Sequence, residues 1–595
     1  MKYVIIGAVA GGASTAARLR RLDEHAEIIL FEKGEFISYA NCGLPYYIGD
    51  VIKDRNNLFV QTPASFNQRF NIDVRVTTEI TVIDPAKKMV TAVKQTTGEV
   101  YEESYDKLIL SPGAEPLRPP LAGITSEGIF TLRNVSDTDH IKSYIRQNQV
   151  AKALIVGAGF IGLEMAENFN DLGIDVTIVE MGNQILAPVD FPVAAIAQQH
   201  LRSKGVNLIL NSAVTSFTKN GQEIIVALKN GEELKTDLVL LSIGVRPDTK
   251  LAVQAGLKTG PAKGIWVNEY LQTSDPNIYA VGDAIEFDNP ITCRSMITYL
   301  AGPANKQGRI CANNVVLGNV QKYKGSINTA IVKVFDMTVG TAGTASKHLK
   351  TAGIEHIVST TRSGSHAAYY PDAKQMTIQI AFSPIDGRLL SAQVAGYDGV
   401  DKRLDILSSF IKQNKSIYEL IEFEHGYAPP YSSAKDPVNM AGFVAENILL
   451  ERLKVFYWDE LKNLRPDDIL IDVRRSDEYK AGKIPQAINI PVDDIRNRLN
   501  EIPKGKNIYI YCEAGLRGYL AQRILVQNGF NNVFNLSGGY YLWKICNAES
   551  GLPVSQVEGF INFSKESEEY QPQTLYSYNT KLPTCKSAGG FRSYK

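Results

Sequence analysis

Three observations predict an α/β protein of several domains built around two dinucleotide-binding units. Two stretches with the order strand, glycine turn, helix, strand begin about 150 residues apart. Short strands and helices alternate again after residue 455. The chain has 595 residues, too many for one hydrophobic core, so three or four domains of ordinary size are expected.

The first unit opens with the β-rich run YVII at residues 3–6, passes through Gly7-Ala-Val-Ala-Gly11-Gly12 into STAARLRRL, and returns to strand in IILFE. Glycines there allow a tight turn and close approach of a pyrophosphate, while the helix N-terminus attracts phosphate. Glu32, 25 residues after Gly7, stands where a carboxylate accepts hydrogen bonds from a ribose diol. The middle glycine of the usual pattern is Val9. The second unit has the full pattern: ALIV, Gly157-Ala-Gly159-Phe-Ile-Gly162, LEMAENFNDLG, then VTIVE ending at Glu180. Glu180 would bond a ribose 2′-hydroxyl and repel a 2′-phosphate, which favours NADH over NADPH. A strand end that merely faces solvent is the alternative. Two such units imply two dinucleotides, a tightly held flavin and an exchanging nicotinamide.

Charge and cysteine usage exclude other classes. Lys plus Arg and Asp plus Glu both number 63, so no global field draws the chain to nucleic acid or an anionic membrane. Cys42, Cys293, Cys311, Cys512, Cys546 and Cys585 lack CxxC pairing or regular spacing, which fits free thiols in a reducing compartment rather than a disulfide framework or a metal module. The apolar opening MKYVIIGAVAGGA suits a strand and turn better than a signal peptide, and no long apolar span follows. A cytoplasmic protein is expected.

Further segments carry a resemblance. TDLVLLSIGVRPD (236–248) is similar to the strand and crossover that leave an NAD domain, and TSDPNIYAVGDA (273–284) to a second FAD motif. With both glycine turns, residues 1–445 resemble the two-dinucleotide flavoprotein disulfide reductases, a likeness that implies FAD as cofactor and assigns Asp283 to the flavin's ribityl and phosphate region. Cys42, in SYANCGLPYYIGD, lies where that superfamily presents its redox cysteine. The glutathione-reductase branch has a second cysteine five residues later; here Tyr47 stands there. Without an internal partner, Cys42 oxidises to a mixed disulfide, a sulfenic acid or a persulfide.

Single-cysteine relatives include NADH peroxidases and oxidases, of which the peroxidases carry a His in the first glycine turn where this chain has Ala10, and coenzyme A disulfide reductases, whose motif SYANCGLPYYIG is similar to. That resemblance implies a site in which Ser38, Asn41 and Cys42 surround the thiol end of coenzyme A and Ser14, Arg18 and Arg21 contact the rest of it. On spacing alone, Arg18 and Arg21 read more readily as a solvated basic face. A lysine of the family near Arg69 is Phe70 here. LAGPANKQGRICANN (300–314) adds Asn305 and Lys306, while SGSHAAYYPDA and HGYAPPYSSAKDPVN resemble the family's dimerisation domain. The resemblance places Tyr369 and Tyr427 of a neighbouring subunit at the cysteine, with Lys435 as a further coenzyme A contact, and so implies a homodimer.

After residue 455, ILIDVR, AGKIPQAINIP and YIYC resemble a rhodanese domain. Cys512-Glu-Ala-Gly-Leu-Arg517 forms the C-x4-R loop, whose backbone N–H groups make an anion-binding concavity at a helix N-terminus that favours a thiolate or persulfide. Glu513 at the mouth is expected to oppose a dianionic donor. Residues 551–595, with Cys585, read as a surface tail.

The expected fold is therefore α/β: two Rossmann-like three-layer dinucleotide-binding domains, FAD at 1–112 with 246–322 and NAD(H) at 113–245, an α+β dimerisation domain at 323–447, an α/β rhodanese domain at 455–548, and a tail at 549–595. The expected activity is NADH-dependent reduction of coenzyme A persulfide, polysulfide or coenzyme A disulfide, with Cys42 forming a mixed disulfide and Cys512 carrying sulfane sulfur. An NADH oxidase or peroxidase with a redox-sensing rhodanese domain, or mainly a sulfurtransferase, are the alternatives.

Overall fold

The computed structural model describes residues 1–551, which pack as two compact units. Cys585 and most of the C-terminal tail lie outside the described residues.

The first unit comprises Met1–Leu186 and Lys204–Ala330. It holds two parallel five-stranded sheets. One runs in the order Ile278–Ala280, Lys107–Leu110, Lys2–Ile6, Glu27–Phe31, Asp73–Arg75. The other runs Asn207–Ile209, Asp175–Val179, Lys152–Val156, Leu238–Leu241, Ile129–Phe130. In both, the aliphatic runs read from the sequence become strands buried almost throughout, as a parallel sheet covered on both faces requires. Each sheet is accompanied by a three-stranded antiparallel sheet, Thr78–Asp84 to Glu99–Ser104 and Val214–Asn220 to Glu233–Thr236. The segment resembling a second FAD motif supplies Ile278–Ala280 to the first sheet, far away in sequence from its neighbour Lys107–Leu110.

The second unit comprises Ala187–Ser203 and the chain from Ile331 onward. Its antiparallel five-stranded sheet has the order Ala330–Val334, Met337–Gly343, Leu389–Gly396, Gln375–Phe382, Ile357–Gly364. Leu389–Gly396 is buried at every residue, with the helices Val400–Lys412 and Phe191–Ser203 packed against it. Asp190 anchors the second helix: its carboxylate accepts from Gln379 at 2.9 Å, Gln393 at 2.6 Å and the Ser346 and Lys347 amides at 3.0 Å. A parallel sheet follows in the order Val455–Phe456, Val533–Leu536, Ile508–Tyr511, Ile469–Asp472, Ile488–Asn489. It is fastened to the rest of the unit by polar and aromatic contacts. Tyr457 donates to the Val358 carbonyl at 2.9 Å, the Thr360 amide donates to Ser537 at 3.3 Å, and Phe191 stacks on Trp458 at 5.3 Å. Among the described residues no helix is long and apolar enough to cross a membrane.

Candidate functional site

The two glycine turns repeat one construction. Gly7 and Gly157 adopt φ of +96° and +101°, and a Cβ on either would lie 2.1 and 2.4 Å from the carbonyl oxygens of Ser111 and Ser242. Gly12 and Gly162 let each helix close onto its own turn, since their Cβ atoms would meet the Gly7 and Gly157 carbonyls. Glu32 accepts from the amides of Ala8 and Gly34, both at 2.9 Å; Glu180 accepts from Ala158 at 2.8 Å and Gly182 at 2.7 Å. The middle position explains the departure at Val9. Its φ is −102°, and that of Gly159 is −80°, so neither backbone demands glycine. Gly159 instead leaves open space, with nothing within 4 Å of where a Cβ would stand, as close approach of a ligand needs.

A cavity of about 1250 Å³ runs from the first turn to Cys42. Gly7, Gly11, Glu32, Asn41, Cys42 and Asp283 line it together. Gly157, Gly159, Gly162 and Glu180 form their own turn outside it. Ser38 is half-buried, and its amide donates to the Ala8 carbonyl at 2.8 Å, which ties the cysteine's segment to the turn. Cys42 sits in the short helix Asn41–Gly43, exposed, ahead of the helix Leu44–Ile48, which is buried at Leu44, Pro45 and Ile48. Although the residue is exposed, the protein behind the sulfur desolvates it and raises the thiol pKa, and the fields of Glu164 and Asp283 add to that rise. Burial also raises the Asp283 pKa, against the pull of Arg133.

Glu164 is a functional candidate that motif reading missed. It lies on the helix Phe160–Asp171, which packs against Leu44–Ile48 behind Cys42. Burial and then Glu167 push its pKa up to about 7, while a hydrogen bond with Tyr46 opposes them. It therefore gains charge near neutral pH, and that charge disfavours the Cys42 thiolate. Glu164→Gln is expected to lower the Cys42 pKa and so to speed alkylation of Cys42 by iodoacetamide at pH 8. An unchanged alkylation profile would remove Glu164 from the site. Only the surrounding burial distinguishes this glutamate from any other helical one, so sequence carried no signal for it.

The helices Ala10–Leu22 and Ala301–Leu317 pack together and gather a polar, basic surface. Ser14 donates to Asn305 at 2.5 Å and Arg18 to Asn313 at 3.0 Å. Desolvation, then Arg309 and Arg21, pulls the Arg18 pKa down, as in a cluster of like charges. Arg21, Asn305, Lys306 and Arg309 are exposed. Arg309 was not singled out by sequence, although it lies on the same helix as Lys306. Arg20, between the two predicted arginines, is structural: it is buried and donates to the carbonyls of Phe70, Glu24 and Asn71.

In the second unit the Tyr369 and Tyr427 hydroxyls are 2.8 Å apart on loops 58 residues distant, with both side chains exposed. That hydrogen bond raises the Tyr369 pKa. Lys435 is exposed immediately before Asp436, the cap of the helix Pro437–Leu449.

Cys512 is buried at the end of the strand Ile508–Tyr511, and the Gly515 amide donates to its sulfur at 3.1 Å, at the start of the helix Leu516–Gln527. Arg517 is held in the loop by a two-bond pair with Glu478 at 2.6 and 2.8 Å, which draws the Glu478 pKa down to about 2. Glu513 does not face the mouth unopposed. Arg474, paired with Asp472 at 2.7 Å, also reaches Glu513 at 3.4 Å, so the repulsion of a dianion expected from the sequence is partly cancelled.

Paired dinucleotide turns, a cavity leading to one accessible thiol and a second thiol in an anion-binding loop define a nucleotide-dependent redox enzyme of sulfur groups. Residues 1–308 match the pyridine nucleotide-disulphide oxidoreductase family and residues 457–546 the rhodanese-like domain. The chain belongs to the pyridine nucleotide-disulphide oxidoreductase family and carries a rhodanese-like domain behind it. FAD and NAD(H) are the cofactors of that family, and the residues present fit them: Gly159 leaves the space a pyrophosphate requires, and the cavity joins the Gly7 turn, Glu32, Asp283 and Cys42. A coenzyme A disulfide reductase of Staphylococcus aureus is 36% identical over 445 residues, 75% of this chain and all of the relative. The solved structure of reduced Bacillus anthracis CoADR-RHD is 46% identical, with a TM-score of 0.90 over 92% of this chain and 98% of its own. An NAD-dependent persulfide reductase from A. fulgidus is 36% identical, with a TM-score of 0.86 over 91% of this chain and 100% of its own. A water-forming NADH oxidase from Lactobacillus brevis is 25% identical, with a TM-score of 0.73 over 76% of this chain and 99% of its own.

Proposed function

We propose that the protein is an FAD-dependent NADH reductase of coenzyme A persulfide, polysulfide and coenzyme A disulfide that works through Cys42 alone. The carrying observation is that Cys42 opens onto the cavity of the first glycine turn while Tyr47, in place of a second cysteine, is engaged elsewhere, its ring centre 3.7 Å from the Lys142 ammonium. The reading assigns FAD to 1–112 with 246–322 and NAD(H) to 113–245, with dimerisation through 323–447. Glu180 supports NADH over NADPH. The relatives named for coenzyme A disulfide and persulfide reduction support the substrate class.

The Cys42 thiolate attacks the coenzyme A-side sulfur of the persulfide, the S–S bond breaks, and hydrosulfide leaves. This forms a Cys42–coenzyme A mixed disulfide. FAD, when bound, would pass the two electrons of NADH to that disulfide. Cleavage then restores the Cys42 thiolate and frees the coenzyme A thiol. Arg18, Arg21, Lys306 and Arg309 hold the coenzyme A phosphates, with Ser14 and Asn305 beside them and Ser38 and Asn41 at the thiol end. Tyr369 and Tyr427 of the partner subunit, with its Lys435, would complete the site in a cytoplasmic homodimer, their hydroxyls donating to the developing sulfur anion. Cys512, oriented with Arg517 in its loop, carries sulfane sulfur.

Anaerobic stopped-flow tests the reading. NADH-reduced enzyme is expected to be reoxidised by coenzyme A persulfide at least tenfold faster than by hydrogen peroxide, about 1.4 kcal/mol of transition-state preference. The likeness to an NADH oxidase favours the second reading, under which oxygen or peroxide is the faster oxidant and the proposal fails.

A further inference from the structure

The cations that the rhodanese-like region places around its own cysteine are already neutralised. Arg517 is paired with Glu478, Arg474 with Asp472 and Glu513, and Arg475 with Asp477. One guanidinium beside this loop comes from outside that region and has no carboxylate partner among the described residues. Arg362, half-buried on the sheet strand Ile357–Gly364, lies with its guanidinium carbon 3.8 Å from the centre of the Tyr541 ring. Tyr541 belongs to the segment that backs the loop. Its amide donates to the Glu513 carbonyl at 3.1 Å, and the preceding Tyr540 amide donates to the Cys512 carbonyl at 2.8 Å. The contact is tight, since a Cβ on Gly539 would lie 2.6 Å from the Glu513 carbonyl and 2.7 Å from that of Cys512. The strand itself is pinned to the same segment by the Thr360 amide on Ser537. Arg362 thus rests on the ring of a residue whose backbone is hydrogen-bonded to the Cys512 loop.

We infer that Arg362 is the anion-recognising residue of the Cys512 site, selecting small thiols and persulfides that carry a negatively charged group away from the reacting sulfur. This rests on the reading of Cys512 as a sulfur carrier. The guanidinium also bonds the Tyr541 side chain, and its remaining N–H donors can meet a carboxylate, sulfonate or phosphate, which a neutral thiol does not offer. The reaction it serves is a balanced transfer: the acceptor thiolate attacks the outer sulfur of Cys512–S–SH, that S–S bond breaks, and the Cys512 thiolate leaves as the acceptor becomes a persulfide. Arg362 is a positioning residue, as it acts on the charged end of the ligand and not on sulfur.

The test loads the full-length protein with inorganic polysulfide in the absence of NADH. Loss of the outer sulfur from the Cys512 peptide is then followed by mass spectrometry with 2-mercaptoethanesulfonate or 2-mercaptoethanol as acceptor, thiols of similar size that differ in charge. Wild-type protein is expected to prefer the sulfonate, and Arg362→Ala to lower that preference about fivefold, the scale of one partly exposed ion pair, by slowing the sulfonate alone. Arg362→Lys restores part of it. Equal slowing with both acceptors would mean that Arg362 only holds the segment in place, and an unchanged preference would equally overturn the inference. Failure of the wild-type Cys512 to load would instead sink the sulfur-carrier reading beneath it.

Discussion

Cys42→Ser is expected to reduce NADH-dependent turnover of coenzyme A disulfide and coenzyme A persulfide by at least about 10³-fold, the scale on which loss of a covalent nucleophile is felt. A serine cannot form the mixed disulfide, and none of the other free thiols among the described residues is placed to replace it. Cys311 and Cys546 are fully buried, with burial driving both thiol pKa values far up, and Cys512 is enclosed in its own loop. The variant keeps both glycine turns, Glu32, Glu180 and Asp283, so NADH should still bleach the visible absorbance of bound FAD at close to the wild-type rate. That split separates loss of the nucleophile from loss of the fold. Cys512→Ser is expected to leave reduction of coenzyme A disulfide unchanged and to slow only the use of polysulfide. Equal losses in the two variants, or persistent turnover without Cys42, would overturn the division of labour between the cysteines.

How much of this was legible in the sequence depended on how local each cause is. The nucleotide turns were readable because the glycines and the carboxylate that mark them lie within about 30 residues: a positive φ at Gly7 or Gly157, helix closure at Gly12 or Gly162, and a carboxylate at the end of the next strand, whereas the Ser111 and Ser242 carbonyls that crowd Gly7 and Gly157 are remote in sequence. Even the exception at Val9 is local, since its negative φ tolerates a side chain. Cys42 and the C-x4-R loop were readable as motifs for the same reason. The Tyr369–Tyr427 contact joins separate loops, and composition alone would have left each tyrosine as an ordinary aromatic. Glu164, Arg309 and Arg362 owe their significance to packing against segments remote in sequence, which pattern and spacing do not encode. The partner of Glu513, Arg474, is 39 residues away, so the loop motif alone did not show that a cation offsets part of its charge. Helix Phe191–Ser203 lies between strands of the second parallel sheet in the chain, yet buried Asp190 fastens it into the second unit.

The largest expected loss of stability follows from Arg403→Met. Arg403 and Asp436 are both buried, with side chains 2% and 0% exposed, and are joined at 2.8 Å. The same guanidinium donates to the Ser365 carbonyl at 2.8 Å, at the base of the loop bearing Tyr369, while Asp436 closes the loop bearing Tyr427 and Lys435 and caps the helix Pro437–Leu449 through the Val438 amide at 3.0 Å. One ion pair therefore braces both tyrosine loops. Removing only the cation strands a buried carboxylate, at a cost of about 3–5 kcal/mol. Burial alone would raise the Asp436 pKa, but hydrogen bonds from Arg403 and Ser432 outweigh it and hold the value below the ordinary carboxylate range. In the wild type, this group's stabilisation is present above the unfolded carboxylate pKa, roughly 4, and is lost as pH falls through the lower folded value. In Arg403→Met the desolvated Asp436 should titrate above its unfolded value, reversing the sign, so the variant's deficit should narrow as pH falls from 7 toward about 4. Hydrogen exchange of the Pro437–Leu449 amides reads both effects locally, which suits a chain of two units in which a single unfolding free energy is not defined. Arg403→Met combined with Asp436→Asn, which removes the stranded charge and keeps a capping side chain, should recover about half of the lost protection. Protection that is unchanged in the single variant, or that falls further at low pH, would show that the pair does not brace these loops.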